Sequence, residues 1–135
     1  MENAALIAAG LLGFVAAAIH GVAGEILVVR KLSLDRLDRS PFGGPRMTKA
    51  MIHVTWHITT LAFLVVGVAL LLSATILEGD TAEAVAVLAA AAMTGYAAIA
   101  VGLGAAYMRS PRFLFRHLGP ATLTLTAALA WAGAL

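Results

Sequence analysis

The chain carries four histidines, His20, His53, His57 and His117, and one acid, Glu25, that falls inside an apolar stretch. Imidazole nitrogens bind iron, copper and zinc, and a carboxylate can complete such a site or orient one of its histidines. His53 and His57 are four residues apart. On a helix they stand one turn apart on one face and can chelate a single ion. Trp56 and Thr60 flank that face. Glu25 follows His20 by five residues, which on a straight helix sets it about 140° around the axis. It is therefore read as a ligand, as an acceptor that orients a histidine, or as a separate proton site.

The setting of these groups gives them weight. Of 135 residues, 61% are hydrophobic and only 12% charged, and the mean hydropathy is +0.95. A soluble domain has roughly 45–50% apolar and about 25% charged residues. Four apolar stretches cover about 4–29, 49–72, 82–108 and 113–131, each near the ~20 residues that span a bilayer. The expected fold is all-α: one domain, an integral membrane four-helix transmembrane bundle running up-down-up-down. Ionisable side chains inside a membrane are costly, so each is a candidate functional group.

The connections supply the topology. Residues 30–48 form a polar loop, in which Ser40-Pro41 and Gly43-Gly44-Pro45 are expected to stop any helix. Leu32, Leu34 and Leu37 could hold a short piece of it at the membrane surface. Glu78–Thr81 reads as a tight acidic turn, and Ser110-Pro111 as the break before the last helix. Arg30, Lys31, Arg36, Arg39, Arg46, Lys49, Arg109, Arg112 and Arg116, all the fixed cations of the chain, flank the first and third connections. The opposite side has only Glu2, Glu78, Asp80 and Glu83. The positive-inside rule then gives an N-out/C-out arrangement with both basic loops in the cytoplasm of a bacterial-type inner membrane. The basic residues are thus a topology signal, not a nucleic-acid footprint. No basic residue precedes the first stretch, which is also longer than the ~7–15 apolar residues of a signal peptide, so it reads as a retained helix. Cysteine is absent, which excludes disulfides and thiolate metal sites.

Depth follows from a rise of ~1.5 Å per residue. Counted from the cytoplasmic ends, His53, His117 and Glu25 lie roughly 8 Å deep, and His57 and His20 roughly 14–15 Å. Four imidazoles and a carboxylate share one layer about 7 Å thick, in the cytoplasmic leaflet. The leading expectation is a transition-metal site (iron, copper or zinc) with His20, His53, His57 and His117 as ligands and Glu25 as ligand or outer partner. It would serve redox chemistry, as in a membrane metal-dependent oxidoreductase, or metal handling.

Three alternatives use the same residues. Haem b could be held between His20 and His57, with Gly13, Ala16, Ala17 and Gly24 leaving room for the ring and Arg30, Arg46 or Arg116 meeting the propionates. A histidine–carboxylate series could carry protons or a substrate. The chain could also be an accessory subunit of a larger membrane complex, or a homodimer. Gly13, Ala17 and Gly21, and Ala91, Gly95, Ala98, Gly102 and Ala106, are small residues at spacings that let helices approach closely, and they read first as packing within the bundle. Met47, Met51 and Met108 add thioethers that suit Cu(I), though methionine in apolar helices usually packs. Tyr96 and Tyr107 look isolated, and Trp131 reads as an outer interface residue.

His53-Val-Thr-Trp-His57 resembles the HxxxH box of membrane di-iron desaturases and hydroxylases. The resemblance covers five residues, and the later double-histidine boxes of those families have no counterpart here. What it implies is iron ligation by this pair, without membership of the family.

Overall fold

The computed structural model describes residues 2–39, 41, 43–109, 112 and 117–135. The chain is all-helical in these residues. Helix α1 (Glu2–Ala18) continues through a π-helical turn (Ile19–Ala23) into the short α2 (Gly24–Leu27). After two 3-10 turns at Val29–Lys31 and Leu34–Arg36 come α3 (Pro45–Thr75), α4 (Gly79–Met108) and α5 (Leu118–Ala134). Three rods, Asn3–Lys31, Pro45–Thr75 and Gly79–Met108, are long and apolar enough to cross a membrane, and α5 is a shorter apolar helix. The early part of the fourth expected stretch, together with Arg116 and the Ser110-Pro111 step, lies outside the described residues.

Each helix packs on its neighbours in sequence, α1 on α3, α3 on α4 and α4 on α5, and α5 closes the ring against α1. This is the expected up-down-up-down bundle. Its core repeats at helical spacing: Leu6, Ala9, Ala16 and Ala17 from α1, Phe63, Val66, Leu70 and Ala74 from α3, Ala86, Ala89, Ala90, Met93 and Ala97 from α4, and Leu123, Ala127 and Ala130 from α5. Gly10, Gly13 and Gly67 set the α1–α3 distance. A Cβ built on Gly13 would lie 3.0 Å from the Gly67 Cα, and one on Gly67 would lie 3.0 Å from the Gly10 carbonyl oxygen. The α1 small-residue stripe is therefore packing, as expected. The α4 stripe is not: Ala91, Gly95, Ala98, Gly102 and Ala106 are exposed, and nothing approaches the Cβ positions of Gly95 and Gly102. Helix α4 instead buries the face at Ala86, Ala90, Met93 and Ala97.

Two boundaries differ from expectation for local reasons. Pro45 opens α3 instead of blocking a helix, because at the first helical position its missing N–H has no partner to lose. The α3–α4 turn ends at Glu78 and α4 starts on Gly79, whose φ of +56° favours a residue without a side chain. Ser73 Oγ donates to the Ala82 carbonyl oxygen at 2.6 Å and ties the two helices together beside that turn. In the first loop, Leu34–Arg36 forms a single 3-10 turn, and Lys49 Nζ donates to the Leu32 carbonyl oxygen at 2.7 Å.

The core occupies one half of the bundle. Apart from Val29, every buried hydrophobic residue falls within 6–17, 63–74, 86–97 or 123–130. The half beside the basic loop has no packed centre among the described residues. All five chemistry-bearing groups stand there.

Candidate metal centre

Residues from two elements build the site. Helix α3 presents His53 and His57 one turn apart, with ring centroids 4.9 Å apart. The chain leaving α1 presents Glu25 in α2. Glu25 Oε2 lies 3.2 Å from His53 Nε2 and 3.5 Å from His57 Nε2. The three ligand atoms all lie within 4.8 Å of one another. Arg30 holds the other carboxylate oxygen, its Nε donating to Glu25 Oε1 at 3.2 Å.

The π-helical turn makes this meeting happen. Gly24 N–H donates to the Ile19 carbonyl, a step of five residues, where an α-helix closes a step of four. The straight-helix count that separates His20 from Glu25 by about 140° does not hold across a widened turn. Both side chains therefore reach α3: His20 meets Trp56 and Thr60, and Glu25 meets His53 and His57. Glycine lets α3 come this close. A Cβ on Gly21 would sit 2.6 Å from Thr60 Cγ2, and one on Gly24 would sit 2.4 Å from Trp56 Cζ2.

The expected four-histidine cluster thus divides into two groups. His20 stacks on Trp56 with centroids 4.3 Å apart, while Trp56 Nε1 donates to the His20 carbonyl oxygen at 2.8 Å. His20 Nδ1 lies 2.9 Å from Thr60 Oγ1. Thr60 gives its only hydroxyl proton to the Trp56 carbonyl oxygen at 3.1 Å, so in this pair Nδ1–H is the donor and Nε2 keeps the lone pair. His117 stands just ahead of α5, exposed and away from the Glu25 group. Neither His20 nor His117 joins the three-residue cluster. The room expected of Gly13 and Gly24 is taken by Gly67 and Trp56.

Burial sharpens the chemistry. The Glu25 side chain is only 12% exposed, while the His53 and His57 side chains are 46% and 49% exposed. Glu25 Oε2 is fully covered and has no hydrogen-bond partner. A buried carboxylate oxygen without a partner is expensive. An ion bonded at ~2.0–2.1 Å in tetrahedral geometry separates its ligand atoms by about 3.3–3.4 Å. The two observed carboxylate–imidazole separations, 3.2 and 3.5 Å, bracket that value. The half-exposed imidazoles border the outer face of α3, where a shallow apolar groove is lined by Val54, Ile58 and Leu61.

Two aromatic residues take partners on other helices. Tyr96 is not isolated: its ring meets Phe63 edge-on at 5.3 Å. Phe63 in turn meets His20 edge-on at 5.4 Å. Trp131 donates its Nε1–H to Thr94 Oγ1 at 3.0 Å, bridging α5 and α4. Neither pairing has a signal in spacing, since each joins different helices. Comparison with protein-family models, with curated proteins and with solved structures finds no match for this chain.

Proposed function

We propose that this membrane protein binds one transition-metal ion through Glu25, His53 and His57, with its basic loops in the cytoplasm and the ion in the cytoplasmic leaflet, for redox chemistry or metal handling. The observation that carries the reading is Glu25 Oε2, buried without a hydrogen-bond partner and facing two imidazole nitrogens at 3.2 and 3.5 Å. Two histidines and one carboxylate with open positions form a donor set used by non-haem iron and by catalytic zinc, and copper accepts the same imidazoles. Arg30 orients the carboxylate through Oε1 and leaves Oε2 for the ion. The open positions suit exchange of a small ligand or of the metal itself better than a closed structural site would.

The geometry gives less support to haem between His20 and His57. His20 is engaged with Trp56 and Thr60, His57 faces Glu25, and the glycines expected to admit a ring are filled.

The test is elemental analysis of protein purified without a polyhistidine tag and reconstituted with iron, copper or zinc. One tightly held ion per chain, lost in Glu25→Gln and in His57→Ala, supports the reading. No stoichiometric metal under any of these conditions overturns it and leaves the accessory-subunit or proton-path alternatives.

A further inference from the structure

On another side of the same helices lies a second, larger feature. An open cleft of about 890 Å³ is lined by α1 and its π-helical turn, α2, α3, α4 and the start of α5. Its volume falls in the range of small-molecule sites, roughly 300–1,000 Å³. The lining is apolar except for a few groups, which include His20, Tyr96 and His117, and Glu25, His53 and His57 do not reach it. Its wall is a run of rings in contact: Trp56 stacked on His20, His20 edge-on to Phe63, and Phe63 edge-on to Tyr96. Flat aromatic ligands bind such walls by stacking and edge-to-face contact.

The polar groups also make a pattern. His20 Nδ1–H is committed to Thr60, so its Nε2 is an acceptor with no partner among the described residues. The Tyr96 hydroxyl and the His117 ring likewise have no hydrogen-bond partner among those residues, and each can donate. One acceptor and two donors in an apolar, ring-lined cleft complement an aromatic ring that carries hydroxyl or carbonyl oxygens.

We propose that this cleft binds a membrane quinone or its quinol, with the ring against Trp56 and Phe63. Tyr96 and His117 donate to the ring oxygens, and His20 Nε2 accepts from a quinol hydroxyl. The site stands apart from the metal centre, although Trp56 and His57 are adjacent in the chain.

Trp56 is a built-in reporter. In a Trp131→Phe background it is the sole tryptophan, and titration of the detergent-solubilised protein with a short-chain benzoquinone should quench its fluorescence saturably. Loss of one hydrogen bond should weaken binding about 5–10-fold in Tyr96→Phe or His117→Ala, with helicity unchanged by circular dichroism. Glu25→Gln, which removes a metal ligand, should leave the titration unaltered, so the two readings fail separately. Quenching that rises linearly with quinone in every variant, as for simple partition into micelles, overturns the proposal. A Soret band that is lost in His20→Ala and His117→Ala but kept in His57→Ala also overturns it, since haem would then occupy the cleft.

Discussion

At the scale of single residues, the site depends on a carboxylate that is buried and imidazoles that are not. In the proposed site, removing Glu25 or either histidine deletes one of three ligands. Outer partners alone commonly govern 10–100-fold in metal affinity, so Glu25→Gln, His53→Ala and His57→Ala should each cost at least about 100-fold. His20→Ala and His117→Ala should each cost less than about 10-fold, because those rings stand outside the cluster. Competition against a chromophoric chelator measures both sets. Equal losses at all four histidines would mean that the ligand set is the wider one expected from sequence. The residue types were legible in the sequence, because histidines in apolar stretches stand out against alanine and leucine. Which rings meet was not legible. In helices apolar all round, periodicity carries almost no rotational information, so His20 could not be separated from His53 and His57.

At the scale of elements, two local irregularities decide the geometry. The first is the π-helical turn at Ile19–Ala23, which sequence spacing does not reveal. Deleting Val22, an exposed residue of that turn, should convert it to an α-turn that leaves Glu25 four residues after His20, about 40° around the axis, and so still toward α3. Inserting an alanine after Val22 should instead rotate the following chain by about 100°, turn Glu25 away from His53 and His57 and lower metal binding as far as Glu25→Gln does, while the helices beyond remain. Full metal affinity in the insertion would show that the turn does not position the carboxylate. The second is the glycine contact between α1 and α3. Gly67→Val places branched carbons against the Gly10 and Gly13 backbone and should lower the thermal unfolding temperature in detergent by several degrees. Gly95→Ala and Gly102→Ala have open space and should be neutral or slightly stabilising, since alanine is the better helix former. From sequence the two small-residue stripes looked alike; only the packing tells the buried one from the exposed one.

At the scale of the whole molecule, the packed core and the candidate site occupy opposite halves. The core lies toward the chain termini and the α3–α4 turn, and the Glu25–His53–His57 cluster and ring-lined cleft lie toward the basic loops. Substitutions in that cluster should therefore remove the proposed metal binding while leaving unfolding nearly unchanged. The charge distribution sets which half faces which compartment. Each Lys or Arg near an anionic cytoplasmic surface contributes roughly 1 kcal/mol of attraction, and in the sequence all nine flank the first and third connections, so inverting the expected orientation would forfeit them together. Because the chain has no cysteine, single replacements report topology without a background. Asp80→Cys, in the first turn of α4, should react with a membrane-impermeant maleimide in intact cells. Asp38→Cys, in the basic loop, should react only after permeabilisation. The opposite pattern would place the histidines and Glu25 in the outer leaflet, and the metal and quinone would then have to be sought from that compartment.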